Sequence, residues 1–349
     1  MKLAFVLGTR PEIIKMAPLI QEAYKRGISP TVINTGQHRE LLYPLWDFFG
    51  IKAHYNLDIM REGQDLSNTF ARAISSISQV LEHHNPDWTF VQGDTTTTFA
   101  GATAAYYNKI KVAHIEAGMR THDLFSPYPE EGNRQMVSRI ANLHFCATPS
   151  NRDSLVSEGI DQDAIHVVGN TGLDSMAYVK PSDVEVKKWK TILLTLHRRE
   201  SFGKGIEKIL TAINYLADYG GIKIIFPMHP NPNVREAVAK FLKPSEAINI
   251  CNPLEYPDFV NKMREADVIL SDSGGVQEEA PFLGKPVVVL REKTERTETI
   301  GKSSFLAGFD AADIINKTVS LLTEGKIFQP DFVYGDGKSS QRILDIINK

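Results

Sequence analysis

The amino-acid sequence predicts an α/β protein built from two doubly wound parallel sheets. Short apolar, β-branched runs alternate with longer segments of helical period, the pattern of βα units. The strand series stops at a polar stretch near residues 180–190 and then restarts, and 349 residues is the length of a two-domain chain at roughly 100–200 residues per domain. In the first half the predicted strands are Leu3–Leu7, Thr31–Asn34, Trp88–Val91, Val112–Ile115, Leu143–Ala147 and Ile165–Val168. In the second half they are Ile192–Leu196, Ile222–Phe226, Ile248–Cys251, Val268–Leu270, Val287–Leu290 and a weaker Phe305–Gly308. These runs place one domain at residues 1–175, a second at 186–330 and a terminal segment at 331–349. Within that segment Ser339–Ile347 reads as a helix with Ile343, Ile346 and Ile347 on one side, expected to pack across the domain junction. Open α/β sheets bind ligands beyond the carboxyl ends of their strands, so the expected site is a cleft shared by the two domains.

Composition removes several function classes. Thirty-nine Lys and Arg against 42 Asp and Glu give a net charge of −3, and no basic block is long enough to track a nucleic-acid backbone. Cys146 and Cys251 lie far apart, with the spacing of neither a disulfide framework nor a metal site, which fits a reducing cytoplasm. The apolar run Leu3–Leu7 is soon followed by Arg10, Glu12 and Lys15, too short for a signal peptide or a membrane span.

The turn Gly8-Thr9-Arg10-Pro11-Glu12 leaves a strand and enters a helix, with Pro11 suited to the first helical position. Backbone donors there, with Arg10 and Lys15, are expected to clamp a phosphate or carboxylate. A second seat is predicted at Ser271-Asp272-Ser273-Gly274-Gly275, where two glycines admit an oxyanion close to backbone N–H groups and Ser273 adds a hydroxyl. Glu279, about one turn into that helix, is placed to accept from a ribose diol. His197 and His229 each follow a strand and suit a phosphate.

Acids gather at the carboxyl ends of the first-domain strands. Asp94 follows Val91-Gln92-Gly93, and Glu116 ends Val112-Ala113-His114-Ile115. Glu130 opens a helix in which positions 130, 134, 137 and 141 form one stripe with apolar later members, so it is expected to point inward. Glu131 shares a face with Gln135, Ser138 and Asn142, a set expected to face solvent. His114 and Glu116, with His122 or Asp123, lack a third ligand at convincing spacing, and no metal is expected. The nucleophile-elbow pattern is absent, leaving acid–base chemistry on a nucleotide-linked substrate.

With these residues in place, the chain closely resembles the non-hydrolysing UDP-N-acetylglucosamine 2-epimerases. The likeness rests on Gly8-Thr9-Arg10-Pro11-Glu12 with Lys15-Met16-Ala17-Pro18, Gln37-His38-Arg39-Glu40, Gly93-Asp94 with Thr95 to Thr98, and Glu116-Ala117-Gly118 with Arg120. It continues through Pro129-Glu130-Glu131, His197-Arg198-Arg199-Glu200, His229 with Asn231-Pro232, Ser271 to Pro281, and Tyr334-Gly335-Asp336-Gly337. The resemblance implies the glycosyltransferase-B architecture of two Rossmann-like domains, a homodimer, no cofactor, and interconversion of UDP-GlcNAc and UDP-ManNAc for polysaccharide or glycan synthesis. It implies elimination of UDP to 2-acetamidoglucal and re-addition with protonation of C2 on the opposite face. By resemblance, Asp94, Glu116 and Glu130 move protons with His197 as a further catalytic group. Arg10, His197, Ser273, Gly274 and Gly275 hold the diphosphate, Glu279 holds the ribose, and Lys15 and His229 support the site.

Two departures stand out. After Thr294-Glu295-Arg296 the family usually has Pro-Glu, whereas this chain has Thr297-Glu298. Some bacterial members bind a second UDP-GlcNAc as activator through Gln and Arg, where this chain has Glu40 and Gly63. Gln37, His38, Gln64 and Arg198 are the residues that remain for such an allosteric site. Three alternatives stay open at this level: a hydrolysing epimerase, a glycosyltransferase of the same architecture, and a non-catalytic nucleotide-sugar sensor.

Overall fold

The computed structural model describes residues 1–349 except 38, 62, 183–187, 199 and 200, and except the side chains of 39–41. The expected boundary at 186, His38 and the Arg199-Glu200 pair of the sequence motif therefore lie outside the described residues, as does the Glu40 side chain. The chain forms two compact units, Met1–Tyr178 with Tyr334–Lys349, and Val179–Val333.

The first unit contains, among the described residues, strands β1 (Leu3–Leu7), β2 (Thr31–Asn34), β3 (Tyr55–Asn56), β4 (Trp88–Gln92), β5 (Lys111–Ala117), β6 (Leu143–Cys146) and β7 (Ile165–Val167). The helices between them are α1 (Arg10–Lys25), α2 (Arg39–Phe49), α3 (Leu66–His84), α4 (Thr96–Tyr107), α5 (Glu130–Ile140), α6 (Pro149–Ser157) and α7 (Thr171–Ser175). All pairings are parallel, in the order β3-β2-β1-β4-β5-β6-β7. Strands covered on both faces are continuously apolar, and β1 reads LAFVL with every residue buried. Helix α4 reaches the sheet through Ala100, Gly101 and Ala104; a Cβ at Gly101 would meet Val6 at 3.0 Å. Small side chains there let the helix lie close to Val6 and Val91, drawing the turn before it onto the end of β4.

The second unit contains β8 (Lys190–Thr195), β9 (Ile222–Pro227), β10 (Ile248–Cys251), β11 (Val268–Ser271), β12 (Val287–Val289) and β13 (Ser304–Leu306). Its helices are α8 (Lys204–Asp218), α9 (Pro232–Phe241), α10 (Tyr256–Glu265), α11 (Gly274–Phe282) and α12 (Ala311–Thr323). The order β10-β9-β8-β11-β12-β13 is again all parallel. Its core packs Ile192, Leu194, Ile224 and Val268 against Ile206, Ile209 and Ile213 of α8.

The chain then returns to the first unit. Helix α13 (Ser339–Ile347) packs on α1 and α7. Asp174 caps it by accepting from Ser339 N at 3.1 Å and Ser340 N at 2.6 Å. Its buried face is Ile343, Leu344 and Ile347, so Leu344 takes the place predicted for Ile346.

In each sheet the order reverses at one pair of adjacent central strands, β1/β4 and β8/β11. The turns leaving such a pair open outward and leave room for a ligand.

Candidate active site

At the β1/β4 reversal, the first turn is built around Glu12. Thr9 and Glu12 have the T-x-x-E spacing of a capping box. The Glu12 carboxylate is completely buried and accepts from Gly8 N at 2.8 Å and Thr9 N at 2.7 Å. Its other oxygen accepts from Thr95 Oγ1 at 2.6 Å and lies 3.1 Å from Thr98 Oγ1, joining the turns after β1 and β4. Burial raises its pKa above the ordinary carboxylate range, against the bonds from Thr95, Gly8 and Thr9. Those Gly8 and Thr9 donors were expected to form an anion seat; the structure turns them inward to Glu12, and the N-terminus of α1 caps itself. Lys15, expected in the same clamp, pairs instead with Glu116.

The run Thr95 to Thr98 knits the second turn. Thr95 Oγ1 accepts from Thr98 N at 3.1 Å, and Thr98 Oγ1 donates to Gln92 O at 2.6 Å. Thr97 Oγ1 meets Thr35 Oγ1 at 2.8 Å and donates to Gln37 Oε1 at 2.9 Å. A Cβ at Gly8 would fall 1.8 Å from Thr35 Oγ1, so only glycine fits beside this network.

Asp94, between this run and β4, pairs with Arg134 Nη2 of α5 at 2.6 Å. Its carbonyl accepts from Asn133 Nδ2 at 2.9 Å, and the preceding Gly93 carbonyl lies 2.7 Å from His114 Nε2. Burial raises the Asp94 pKa; Arg134 opposes the shift and the Glu116 carboxylate adds to it.

Glu116 lies where the β5–β6 register shifts between Ile115 and Ala117, and its φ is +62°. A non-glycine side chain in the left-handed region costs on the order of 1–3 kcal/mol and clusters at functional sites. Here the bulge turns the carboxylate to Lys15 Nζ and Gln92 Nε2, with only 9% of the side chain exposed. Asp94 and Glu116, both expected in the site, are thus neighbours with separate cationic partners.

The expected orientation of α5 needs correction. Glu131, predicted to face solvent, is fully buried, and Glu130 is only partly buried. Glu131 accepts from Thr121 N at 3.0 Å, His122 N at 3.2 Å and Gln135 Nε2 at 2.8 Å. Burial works against its charge, but Gln135, Thr121 N, Arg134 and His122 N hold its pKa below the usual range. It staples the loop before α5 to the helix, while Glu130 keeps an accessible position on the first turn.

In the second unit the central feature is Asp272, completely buried after β11. Its carboxylate pairs with His197 Nδ1 at 2.7 Å and accepts from His197 N and Arg198 N, each at 2.9 Å, and from Ser201 Oγ at 3.3 Å. The His229 ring lies 6.1 Å from that of His197, and His229 Nδ1 accepts from Asn231 N at 3.2 Å. Ser273 is the N-cap of α11, and Ser271 Oγ shapes the turn by accepting from Ser273 N at 3.0 Å.

Arg296, which the sequence reading gave no role, lies against the start of α11. Its Nη1 is 2.6 Å from where a Gly274 Cβ would be, so glycine admits the guanidinium at the helix N-terminus. Glu278 accepts from Arg296 Nε at 2.5 Å and Glu295 from Arg296 Nη1 at 2.9 Å, while Arg291 braces Glu295 at 3.0 Å. Despite burial, Arg296 and Arg291 hold the Glu295 pKa well below the ordinary carboxylate range. Glu279 is half-buried on the next turn.

The residues expected for an allosteric site lie on both units. Gln37 binds Thr97, and Gln64 Nε2 approaches Met60 Sδ at 3.3 Å, both in the first unit; Arg198 is in the second. Among the described residues, no three His, Cys, Asp or Glu side chains are grouped to hold a metal. Burial pushes the Cys146 thiol up to about 12, so it is no nucleophile at neutral pH.

A family model described as UDP-N-acetylglucosamine 2-epimerase matches residues 21–348. The Bacillus subtilis (strain 168) UDP-N-acetylglucosamine 2-epimerase is 43% identical over 358 residues, covering 99% of this chain and 94% of that protein. The crystal structure of the Neisseria meningitidis UDP-GlcNAc 2-epimerase bound to UDP-GlcNAc superposes with a TM-score of 0.92 at 40% identity, covering 100% of both chains. The Methanocaldococcus jannaschii enzyme in complex with UDP-GlcNAc and UDP gives a TM-score of 0.87 at 34% identity, covering 100% of this chain and 99% of that one.

Proposed function

Because the chain belongs to the UDP-N-acetylglucosamine 2-epimerase family, we infer that it is an isomerase that interconverts UDP-GlcNAc and UDP-ManNAc without hydrolysing them. The chemistry needs more than one proton-transfer group. The C2 hydrogen has no adjacent carbonyl to acidify it, so direct deprotonation is difficult. Elimination avoids this: a base takes the C2 proton, the C1–O bond to UDP breaks, and the electron pair forms the C1=C2 bond of 2-acetamidoglucal. On return, a UDP oxygen bonds to C1 and C2 takes a proton on the opposite face.

The observation that carries the residue assignment is the pair of carboxylates at the β1/β4 reversal, each with its own cation: Asp94 with Arg134 and Glu116 with Lys15. Two neighbouring carboxylates, each held by its own cation, are the arrangement that a paired acid and base require. We assign the proton transfers at C2 to Asp94, Glu116 and Glu130. Arg10, His197, Ser273, Gly274 and Gly275 hold the diphosphate, with Arg296 adding its charge beside Gly274; Glu279 takes the ribose, and Lys15 and His229 support these groups. Stabilising the departing diphosphate lowers the same barrier that the acids address. The reading includes a homodimer, which rests on the family resemblance. It also includes a cytoplasmic setting, which the free thiols of Cys146 and Cys251 support. No described helix is long and apolar enough to cross a membrane.

Incubation with UDP-GlcNAc in deuterium oxide tests the reading: C2 should acquire deuterium in both nucleotide sugars, seen by proton NMR. Asp94→Asn, Glu116→Gln and Glu130→Gln should each lower turnover by about 10²–10⁴ while UDP still binds. Absence of label with the wild-type protein rules out the reaction, and near-normal turnover in all three variants rules out the assignment.

A further inference from the structure

We propose that Asp272 is a positioning residue for His197: it fixes Nδ1 as the donor to its own carboxylate and leaves Nε2 as the nitrogen that meets the substrate diphosphate. The inference rests on the function proposed above, because that reading places His197 at the diphosphate.

The geometry comes from two adjacent central strands. Thr195 and Ser271 are paired in the β8–β11 register, and their hydroxyls meet at 2.6 Å. One residue further on, Asp272 turns its side chain toward the β8 exit and meets both the backbone and the ring of His197. An ionised carboxylate only accepts hydrogen bonds, so the ring nitrogen 2.7 Å away must carry the proton. Burial works against the charge, yet the His197 ring and the Arg198 and His197 N–H groups keep the Asp272 pKa below its ordinary range. The His197 side chain is 39% exposed although its partner is completely buried, so the ring joins a fixed interior charge to an accessible edge.

This arrangement matters to a departing diphosphate. A proton taken up at Nε2 gives an imidazolium whose charge Asp272 balances, and that proton can be shared with a phosphate oxygen and returned. If the ring instead carried its proton on Nε2 with Nδ1 as acceptor, it would give only a neutral hydrogen bond. A purely structural reading would have Asp272 do no more than tie down the backbone at residues 197–198. Asp272→Asn separates the two, because the amide oxygen still accepts from those N–H groups while the amide nitrogen faces Nδ1 as a donor and reverses the tautomer.

The experiment combines kinetics with nitrogen-15 NMR of the full chain. Asp272→Asn should lower kcat by about 10²–10⁴, the upper end being the loss of about 10⁴ that the wrong tautomer causes in a Ser-His-Asp triad, with the Kd for UDP changed by less than about 5-fold. In a His197→Gln background the same substitution should lower kcat by less than about 3-fold further, since coupled residues are not additive. The neutral His197 ring should carry its proton on Nδ1 in the wild type and on Nε2 in the variant. The proposal is overturned by a variant with near-wild-type kcat, by additive losses, or by a wild-type ring protonated on Nε2. Should Asp272→Asn fail to fold, the wild-type tautomer decides alone. Wild-type protein that leaves C2 unlabelled would refute the epimerase reading, and the tautomer would still judge the role of Asp272.

Discussion

His114 and His144 face each other across β5 and β6, both fully interior, and together they predict an acid-labile site. Burial pushes His114 from its ordinary 6.5 down to about 3 and His144 down to about 4, with His144 and Arg120 adding to the first shift and Arg120 and His166 to the second. A group whose folded pKa is depressed contributes stability above its unfolded pKa and loses it as pH falls toward the folded value. The unfolded imidazoles bind protons below about pH 6.5 while the folded ones stay neutral. Each histidine should therefore cost about 2 kcal/mol at pH 5 and about 3 kcal/mol at pH 4, relative to pH 8. The assay is urea unfolding across that range, in a Trp189→Phe background so that Trp46 and Trp88 report the first unit. The other titrating groups, carboxylates included, cancel when the chain is compared with His114→Gln/His144→Gln, and the stability gap should narrow or reverse in favour of the variant as pH falls. A gap independent of pH would mean that the native rings accept protons, and that His114 does not hold the Gly93 carbonyl as a neutral donor. The consequence reaches the turn proposed to carry a proton-transfer group, because Gly93 precedes Asp94.

Two further outcomes follow from buried contacts. Glu12→Ala leaves the Gly8 and Thr9 N–H groups without their acceptor and should cost about 3–6 kcal/mol in urea unfolding. Glu12→Gln should recover most of it, since the Thr95 and Thr98 hydroxyls can accept from an amide; equal losses would show that the carboxylate charge, and not the bond pattern, matters. Gly274→Ala sets a methyl group 2.6 Å from Arg296 Nη1 and must displace the guanidinium. UDP affinity by calorimetry should fall about 10–100-fold, and unchanged affinity would remove Arg296 from the diphosphate seat.

Much of the fold was legible because buried parallel strands require runs such as LAFVL and VILS, and these stand out from the helical segments between them. The edge strand β3 was not, since two residues, Tyr55 and Asn56, carry no run. Asp94, Glu116, His197 and the Ser273-Gly274-Gly275 turn were readable as candidates because each lies at or just past the carboxyl end of a strand, where the topology opens. The error at Glu131 has a physical cause. Counting Val137 and Ala141 as the mark of the inner face assumes that hydrophobicity governs burial, but α5 buries Glu131, Asn133, Arg134 and Ser138 as well. Those polar groups bind one another and the preceding loop, a pattern that helical periodicity does not reveal. Glu12 carried a readable capping signature that was not connected to the anion seat it occupies. Asp272 and Arg296 gave weaker signals, because their roles depend on partners 75 and 18 residues away.

The left-handed backbone at Glu116 has a practical consequence for anyone seeking a tougher variant of this chain. A screen that rewards heat resistance alone will favour glycine or asparagine there, relaxing the kink while discarding the carboxylate that the kink exists to aim. If the proposed proton-transfer role of Glu116 holds, the most tempting gain in durability therefore lies at the residue where accepting it would leave a sturdy but idle protein.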